Sequence, residues 1–266
     1  MSTIDELFTK LRSEGRKALM PFVTAGDPDL EFTAAVLKEL TDRGCPICEV
    51  GIPYSDPIAD GPVIQASYTR ALENNIRLTD ILNTLGDVAG QIAAPLVTMV
   101  SYAIVYRQGP QQFVDRLVEH GIAGMIVPDL PAEESSSLAA VCQSRDVSLI
   151  QLVTPTTPRE RAVRIAETST GFLYYVSVAG ITGERTRLPA ELVENVGWLR
   201  EQTSLPVCIG FGISQPKHVQ QLAPVADGLI VGSAIVRRMA EAASKDREKT
   251  LQQIGDYVAS LLAPMG

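Results

Sequence analysis

Ile47-Cys48-Glu49-Val50-Gly51-Ile52-Pro53-Tyr54-Ser55-Asp56-Pro57-Ile58-Ala59-Asp60-Gly61-Pro62 holds a whole structural unit: a short apolar strand, a loop and a helix start. Ile47–Gly51 has the length and the apolar residues of a buried strand, and prolines, aspartates and glycine stop it. Pro62 suits the first position of a helix. Side chains alternate along a strand, so Ile47 and Glu49 share one face and Cys48 and Val50 the other. Val50 suits a face covered by helices, which turns Glu49 inward.

The same unit recurs on both sides of this stretch. Strands are expected at Ala18–Thr24, Ile47–Gly51, Leu96–Tyr102, Gly124–Pro128, Ser148–Val153, Phe172–Ser177, Pro206–Gly210 and Gly228–Val231. Helical periodicity fills Leu30–Arg43, Gln111–Glu119, Ala132–Gln143, Glu160–Glu167 and Ala190–Thr203. An amphipathic helix precedes them all, with Ile4, Leu7, Phe8 and Leu11 on one face. Alternating strands and helices imply a parallel sheet. Eight repeats imply a closed (β/α)8 barrel, and the 266 residues match the roughly 250 that such a barrel needs. An open doubly wound sheet would be expected to carry Gly-x-Gly-x-x-Gly after the first strand; Gly26 there stands alone. With no linker or composition shift, residues 1–266 are expected to form a single domain.

Several function classes are disfavoured. A net charge of −8 and the lack of a basic run argue against nucleic acid, whose phosphates need clustered Lys and Arg. No apolar stretch reaches the roughly 18 residues of a membrane span, and the N-terminus lacks the apolar core of a signal peptide, so a cytosolic protein is expected. Cys45 and Cys48 form a C-x-x-C, but no second Cys or His pair completes a zinc site; His120 and His218 are isolated and Cys142 and Cys208 stand apart. No metal or cofactor is expected. None of the lysines falls at a strand carboxyl end, where a Schiff-base aldolase would need one.

What remains is acid–base chemistry by carboxylates, with a phosphate as handle. The active site of a barrel lies at the carboxyl ends of its strands, and the last two loops commonly bind phosphate at a short helix N-terminus. Gly210-Phe211-Gly212-Ile213-Ser214 and Gly232-Ser233-Ala234-Ile235-Val236 stand there, and Gly183 in loop six could add a further N–H; alternatively, these glycines only serve turns. Glu49 is either catalytic or half of a buried ion pair. Asp60 is either catalytic or a helix-entry residue, and Asp56 has a turn role open to it before Pro57.

Pro21–Pro28, Glu49–Pro62, Asp129-Leu130-Pro131, Ser177–Gly183, Gly210–Ser214 and Gly232–Val236 resemble, in order, the motifs of the tryptophan synthase alpha subunit family, and the resemblance covers nearly the whole chain. It implies a lyase that splits indole-3-glycerol phosphate into indole and glyceraldehyde 3-phosphate by a retro-aldol step. Glu49 would be the general acid–base group, and Asp60 would hold the indole N–H. The family's site tyrosine would be Tyr174 rather than Tyr175, counting back from Thr182-Gly183. Phosphate would lie on Gly183, Gly212, Gly232 and Ser233. Phe22, Val100, Ile126, Leu152 and Phe211 would line the indole pocket, and 179–189 would be a lid whose Thr182 meets Asp60. Arg185 and Arg187 in that lid are compatible with simple solvation.

The resemblance also implies a beta-subunit partner in an alpha2-beta2 complex. Ser101-Tyr102-Ala103-Ile104-Val105-Tyr106 departs from it: the family's Tyr-Asn-Pro-like turn lacks its asparagine here and is one residue short. That keeps a stand-alone lyase releasing free indole in view. An inert phosphate-binding scaffold that activates a partner is the third reading.

Overall fold

The computed structural model describes residues 2–57, 60–176, 191–210 and 212–265. Its strands are β1 (Ala18–Thr24), β2 (Cys48–Gly51), β3 (Leu96–Met99), β4 (Ile122–Ile126), β5 (Ser148–Val153), β6 (Leu173–Val176), β7 (Val207–Gly210) and β8 (Gly228–Val231). Each pairs with the next, and β8 returns to β1 in parallel register, Ala18 beside Gly228 and Pro21 beside Val231, closing the barrel. This is the expected (β/α)8 architecture.

Alternation sorts the side chains into two cores. Leu19, Cys48, Val50, Met125, Leu173, Tyr175, Ile209 and Leu229 point outward and pack under the helices. Met20, Ile47, Val97, Ile126, Ile150, Phe172, Tyr174, Cys208 and Ile230 fill the interior. Strands buried on both faces explain why these runs read as nearly unbroken apolar stretches.

The helix Thr3–Ser13 stops the amino end of the barrel. Its capping box joins Ser2 and Asp5, and Ile4, Phe8 and Leu11 enter the interior cluster, with the Phe8 ring 5.8 Å from that of Phe172. Arg12 donates to Asp227 through Nε (3.3 Å) and Nη2 (3.2 Å). Arg200 donates to the same carboxylate at 3.4 Å, as does the Val207 N–H at 3.0 Å. Burial pushes the Asp227 carboxyl up, but the Arg12 and Val207 hydrogen bonds and the two guanidinium charges outweigh it and hold it below its usual range.

Two expected strands move. The third was expected to reach Tyr102, but its ladder stops at Met99. Ser101 then caps the helix Tyr102–Gln108, accepting from the Ala103 N–H at 3.2 Å and donating to Asp129 at 2.7 Å; a serine able to cap outcompetes further strand. The fourth strand lies at Ile122–Ile126 rather than Gly124–Pro128, because Val127 opens a turn closed by Leu130 and Pro128 has no N–H to donate. The segment 132–143 is a short 3-10 turn, Ala132–Glu134, followed by the helix Ser136–Gln143.

Candidate active site

The carboxyl end of the barrel holds the acids. β2 carries Glu49 inward between Phe22 of β1 and Val97 of β3. Glu49 is fully buried, and neither carboxylate oxygen has a hydrogen-bond partner. The buried ion pair left open by the sequence is therefore absent among the described residues. Burial, helped by the charge of Asp60, pushes the Glu49 carboxyl up to about 8.

Asp60 precedes Gly61, which is the N-cap of the helix Pro62–Glu73. The cap position thus falls to glycine, and Asp60 stands one residue outside the helix. Its backbone is held by Gln65, whose Nε2 donates to the Asp60 carbonyl at 2.7 Å. Half-buried, its carboxyl is pushed up by desolvation to about 6. Asp56 behaves as the turn residue: it is exposed and accepts from the Ser55 hydroxyl at 2.7 Å.

Tyr174 faces the interior and Tyr175 the helices. The Tyr174 ring crosses to β7, where its hydroxyl fills the space that a side chain at Gly210 would need. Burial, then the charges of Glu49 and Asp60, push its phenol well above the usual value, so the hydroxyl stays a neutral donor beside the two acids.

Phe22 packs with Ile64, Tyr68, Val236 and Met99 in a small cluster at the mouth. Ile126 and the half-buried Leu152 face the interior. Val100 follows the last residue of β3 and packs in the cluster under the helices, while Met99 packs against Phe22 and the interior cluster.

Gly212 has φ +76°, the left-handed region that glycine adopts without penalty. Gly232 is the N-cap of the helix Ser233–Glu241, which has no side-chain cap. Gly232 and Ser233 are half-exposed at the mouth while Ala234, Ile235 and Val236 are buried, so uncapped helix N–H groups face the opening. Gly183, Thr182, Phe211, Arg185 and Arg187, with the lid segment, lie outside the described residues.

Two residues of this mouth escaped the reading of the sequence. Met99 stands two residues after inward Val97, and alternation along the third strand could have found it. Tyr68 lies on a helix whose inward positions, Ile64, Ser67, Tyr68 and Ala71, repeat at the three- and four-residue spacing of a buried face, and that spacing could have found it. Away from the mouth the cysteines are free and buried, with burial pushing the Cys45 thiol up to about 12. Among the described residues no group of three or more His, Cys, Asp or Glu could hold a metal ion, and no helix is long and apolar enough to cross a membrane.

Two carboxylates whose surroundings set their proton affinities apart, at the mouth of a closed parallel barrel, mark an enzyme of the β/α-barrel acid–base class. Comparison with known proteins gives the particular family. The chain belongs to the tryptophan synthase alpha chain family, whose model matches residues 8–261. The tryptophan synthase alpha chain of Rhodopirellula baltica is 56% identical over 271 residues, spanning 98% of each chain. The tryptophan synthase subunit alpha of Legionella pneumophila superposes with a TM-score of 0.90 at 36% identity, covering 100% of this chain and 98% of that one. The Pyrococcus furiosus tryptophan synthase complex includes a chain that matches with a TM-score of 0.85 at 32% identity, over 93% of this chain and 99% of that one.

Proposed function

We propose that this chain catalyses the alpha reaction of its family, the retro-aldol cleavage of indole-3-glycerol phosphate to indole and glyceraldehyde 3-phosphate in tryptophan biosynthesis. The observation that carries the residue roles is the buried, unpartnered Glu49 beside a more acidic Asp60. Between about pH 6 and about pH 8 the first is protonated and the second ionised. Glu49 then gives its proton to the indole carbon that bears the glycerol chain. Asp60 accepts the indole N–H and stabilises the positive charge that appears on the ring. The carbon–carbon bond breaks, its electron pair restores the aromatic ring, and the adjacent hydroxyl becomes the aldehyde as its proton passes to the ionised Glu49. Proton count balances, and one carboxyl serves as acid and then as base.

Phe22, Val100, Ile126, Leu152 and Tyr174 would enclose the indole, with Met99 beside Phe22. Gly212, Gly232 and Ser233 would hold the phosphate through backbone N–H groups, with Gly183 added from loop six; the uncapped start of the helix Ser233–Glu241 supports this. Binding the phosphate far from the reacting carbon supplies energy that aligns the reacting centre. Thr182 and Phe211 keep their proposed places, lid and indole pocket, from family resemblance alone.

The partner is a tryptophan synthase beta subunit in an alpha2-beta2 assembly. Membership of the family supports this, as does the match to a chain of the Pyrococcus furiosus tryptophan synthase complex. A cytosolic location goes with this biosynthetic role. Indole release from indole-3-glycerol phosphate by the purified chain, with and without a beta subunit, tests the whole reading. The expected result is slow release alone, sharply raised by the partner, and a loss of at least about 100-fold in Glu49→Gln. Equal turnover in both conditions would favour a stand-alone lyase. Absence of indole in both would favour an inert scaffold.

A further inference from the structure

The helix Pro62–Glu73 buries an apolar face made by Ile64, Tyr68 and Ala71. Beside that face stand Ser67, Arg70 and Asn74, whose spacing of three and then four places them on one stripe. All three hydrogen-bond to the end of β1 and the loop after it. The Ser67 hydroxyl lies 2.7 Å from that of Thr24. Arg70 donates through Nε and Nη2 to the two oxygens of Asp27, at 2.9 and 2.7 Å. Asn74 donates to the Pro28 carbonyl at 2.6 Å. The loop is also held from the side of the helix Leu30–Asp42, where the Thr33 hydroxyl accepts from the Gly26 N–H at 2.9 Å. Asp27 is fully buried, and Arg70 reaches it from a position 33% exposed. A buried ion pair is a poor way to add stability, because well-packed apolar side chains do as well or better. What the fork supplies is direction: two parallel hydrogen bonds fix the guanidinium in angle as well as distance. Fixed with it is the register of the helix against β1, and the N-cap of that helix directly follows Asp60.

We propose that Asp27 and Arg70 are positioning residues of the proposed reaction: their ion pair, with the Thr24–Ser67 and Pro28–Asn74 contacts, locks the helix Pro62–Glu73 against the end of β1 and so sets the depth at which Asp60 stands in the mouth. The inference rests on the acid–base reading above. Neither residue touches a reacting atom in that reading; both act through Asp60. Depth matters because burial is what pushes the Asp60 carboxyl up to about 6. The groups that feel the Asp60 charge are Glu49 of β2, Tyr68 of the same helix and Tyr174 of β6. Glu49 and Tyr174 stand on strands that the seam does not touch, so Asp60 is the acid that cutting it displaces. Arg70 itself feels only acids, Asp27 and then Glu73 of its own helix.

The test is the double variant Asp27→Leu with Arg70→Met, in the full chain with saturating beta subunit. It is read as kcat and KM for indole-3-glycerol phosphate across pH, together with the melting temperature. Apolar side chains replace a buried ion pair with little loss of stability, so the variant is expected to melt close to wild type. Desolvation raises a carboxyl. An Asp60 that swings toward water is therefore expected to move the rising limb of kcat/KM to lower pH by about one unit, toward the ordinary aspartate value. kcat is expected to fall at least about tenfold, within the roughly 100-fold that a displacement of about 1 Å can cost. KM is expected to stay within about twofold, because the phosphate loops are untouched. A role in stability alone would lower the melting temperature and leave the limb in place, so a folded double variant with its limb at the wild-type pH overturns the inference. Arg70→Lys keeps the charge but loses the fork, and a smaller step of the limb in the same direction is expected. An unmoved limb there also overturns the inference, and this milder variant decides the matter where the double variant folds poorly. A wild-type chain that releases no indole defeats the underlying reading instead, so the two failures are distinct.

Discussion

Glu49 is held where its charge is least welcome. Its two oxygens are buried with no donor among the described residues to meet them, and the carboxyl responds by keeping its proton up to about pH 8. Asp60, half-exposed, ionises near pH 6. kcat/KM for indole release is therefore expected to be bell-shaped, rising near pH 6 and falling near pH 8, and the two values belong to the pair rather than to either acid alone. A profile flat from pH 5 to pH 9 would remove this pair from the mechanism. The same burial costs stability. A carboxyl whose folded-state value is raised loses stability as pH climbs from its unfolded value, about 4.3, to its folded one, and the loss is complete above about 8. Glu49→Gln escapes that loss. Urea unfolding is expected to show the variant more stable by about 3 kcal/mol at pH 7, with the difference shrinking to about 1 kcal/mol at pH 5 and nearly gone at pH 4. Equal stability at both pH values would mean that Glu49 is solvated after all. How much of this was legible depended on phase. The inward turn of Glu49 followed from Val50, and Tyr174 was chosen over Tyr175 by counting back from Thr182-Gly183 under the family resemblance. Val100 was named from the family resemblance and not from alternation, and Met99, two residues after inward Val97, packs at the mouth without having been read.

At the scale of elements, the strands were readable because both of their faces are buried, and their ends were not, because ends are decided by local capping. Ser101 and Pro128 stop β3 and β4 earlier than hydrophobicity does, and no apolar count reports a hydroxyl that prefers to cap. The helix Pro62–Glu73 was located from Pro62, yet its inward face went unread and Tyr68 with it. The N-terminal helix is the clearest case of an element held by charge as well as by apolar contact. Its Arg12 and the later Arg200 share one carboxylate, Asp227, which is 3% exposed. Asp227→Asn leaves two guanidinium groups facing a neutral amide, and a loss of about 3 kcal/mol is expected. The sign with pH follows from the depressed carboxyl: its contribution is complete above the unfolded value of about 3.9 and disappears as pH falls through the lower folded one. Chemical denaturation of wild type and variant at pH 7 and pH 3 checks both points, and an unchanged gap on acidification would separate Asp227 from the arginines.

For the whole molecule, the strand ladder offers no break at which the chain divides, and we propose that residues 1–266 act as one domain. Within it the amino end of the barrel depends on a segment from outside the eight repeats. Deleting residues 1–13 uncovers the interior around Phe172 and removes the burial of Ile4, Phe8 and Leu11. At about 2 kcal/mol for each side chain the loss is about 6 kcal/mol, or a fall of roughly 15 °C in melting temperature for a chain of this size. A thermal melt of the truncated protein tests this, and a fall of only a few degrees would reduce the helix to an ornament. The ring itself has a different consequence. Because β8 hydrogen-bonds to β1, no strand is first or last, and every strand already has a neighbour on each side. An open sheet advertises a row of unspent N–H and C=O groups at either margin, and a second chain can lengthen it there. This barrel has no such margin, so strand-by-strand stacking into fibrils has nowhere to begin until the cylinder itself is broken.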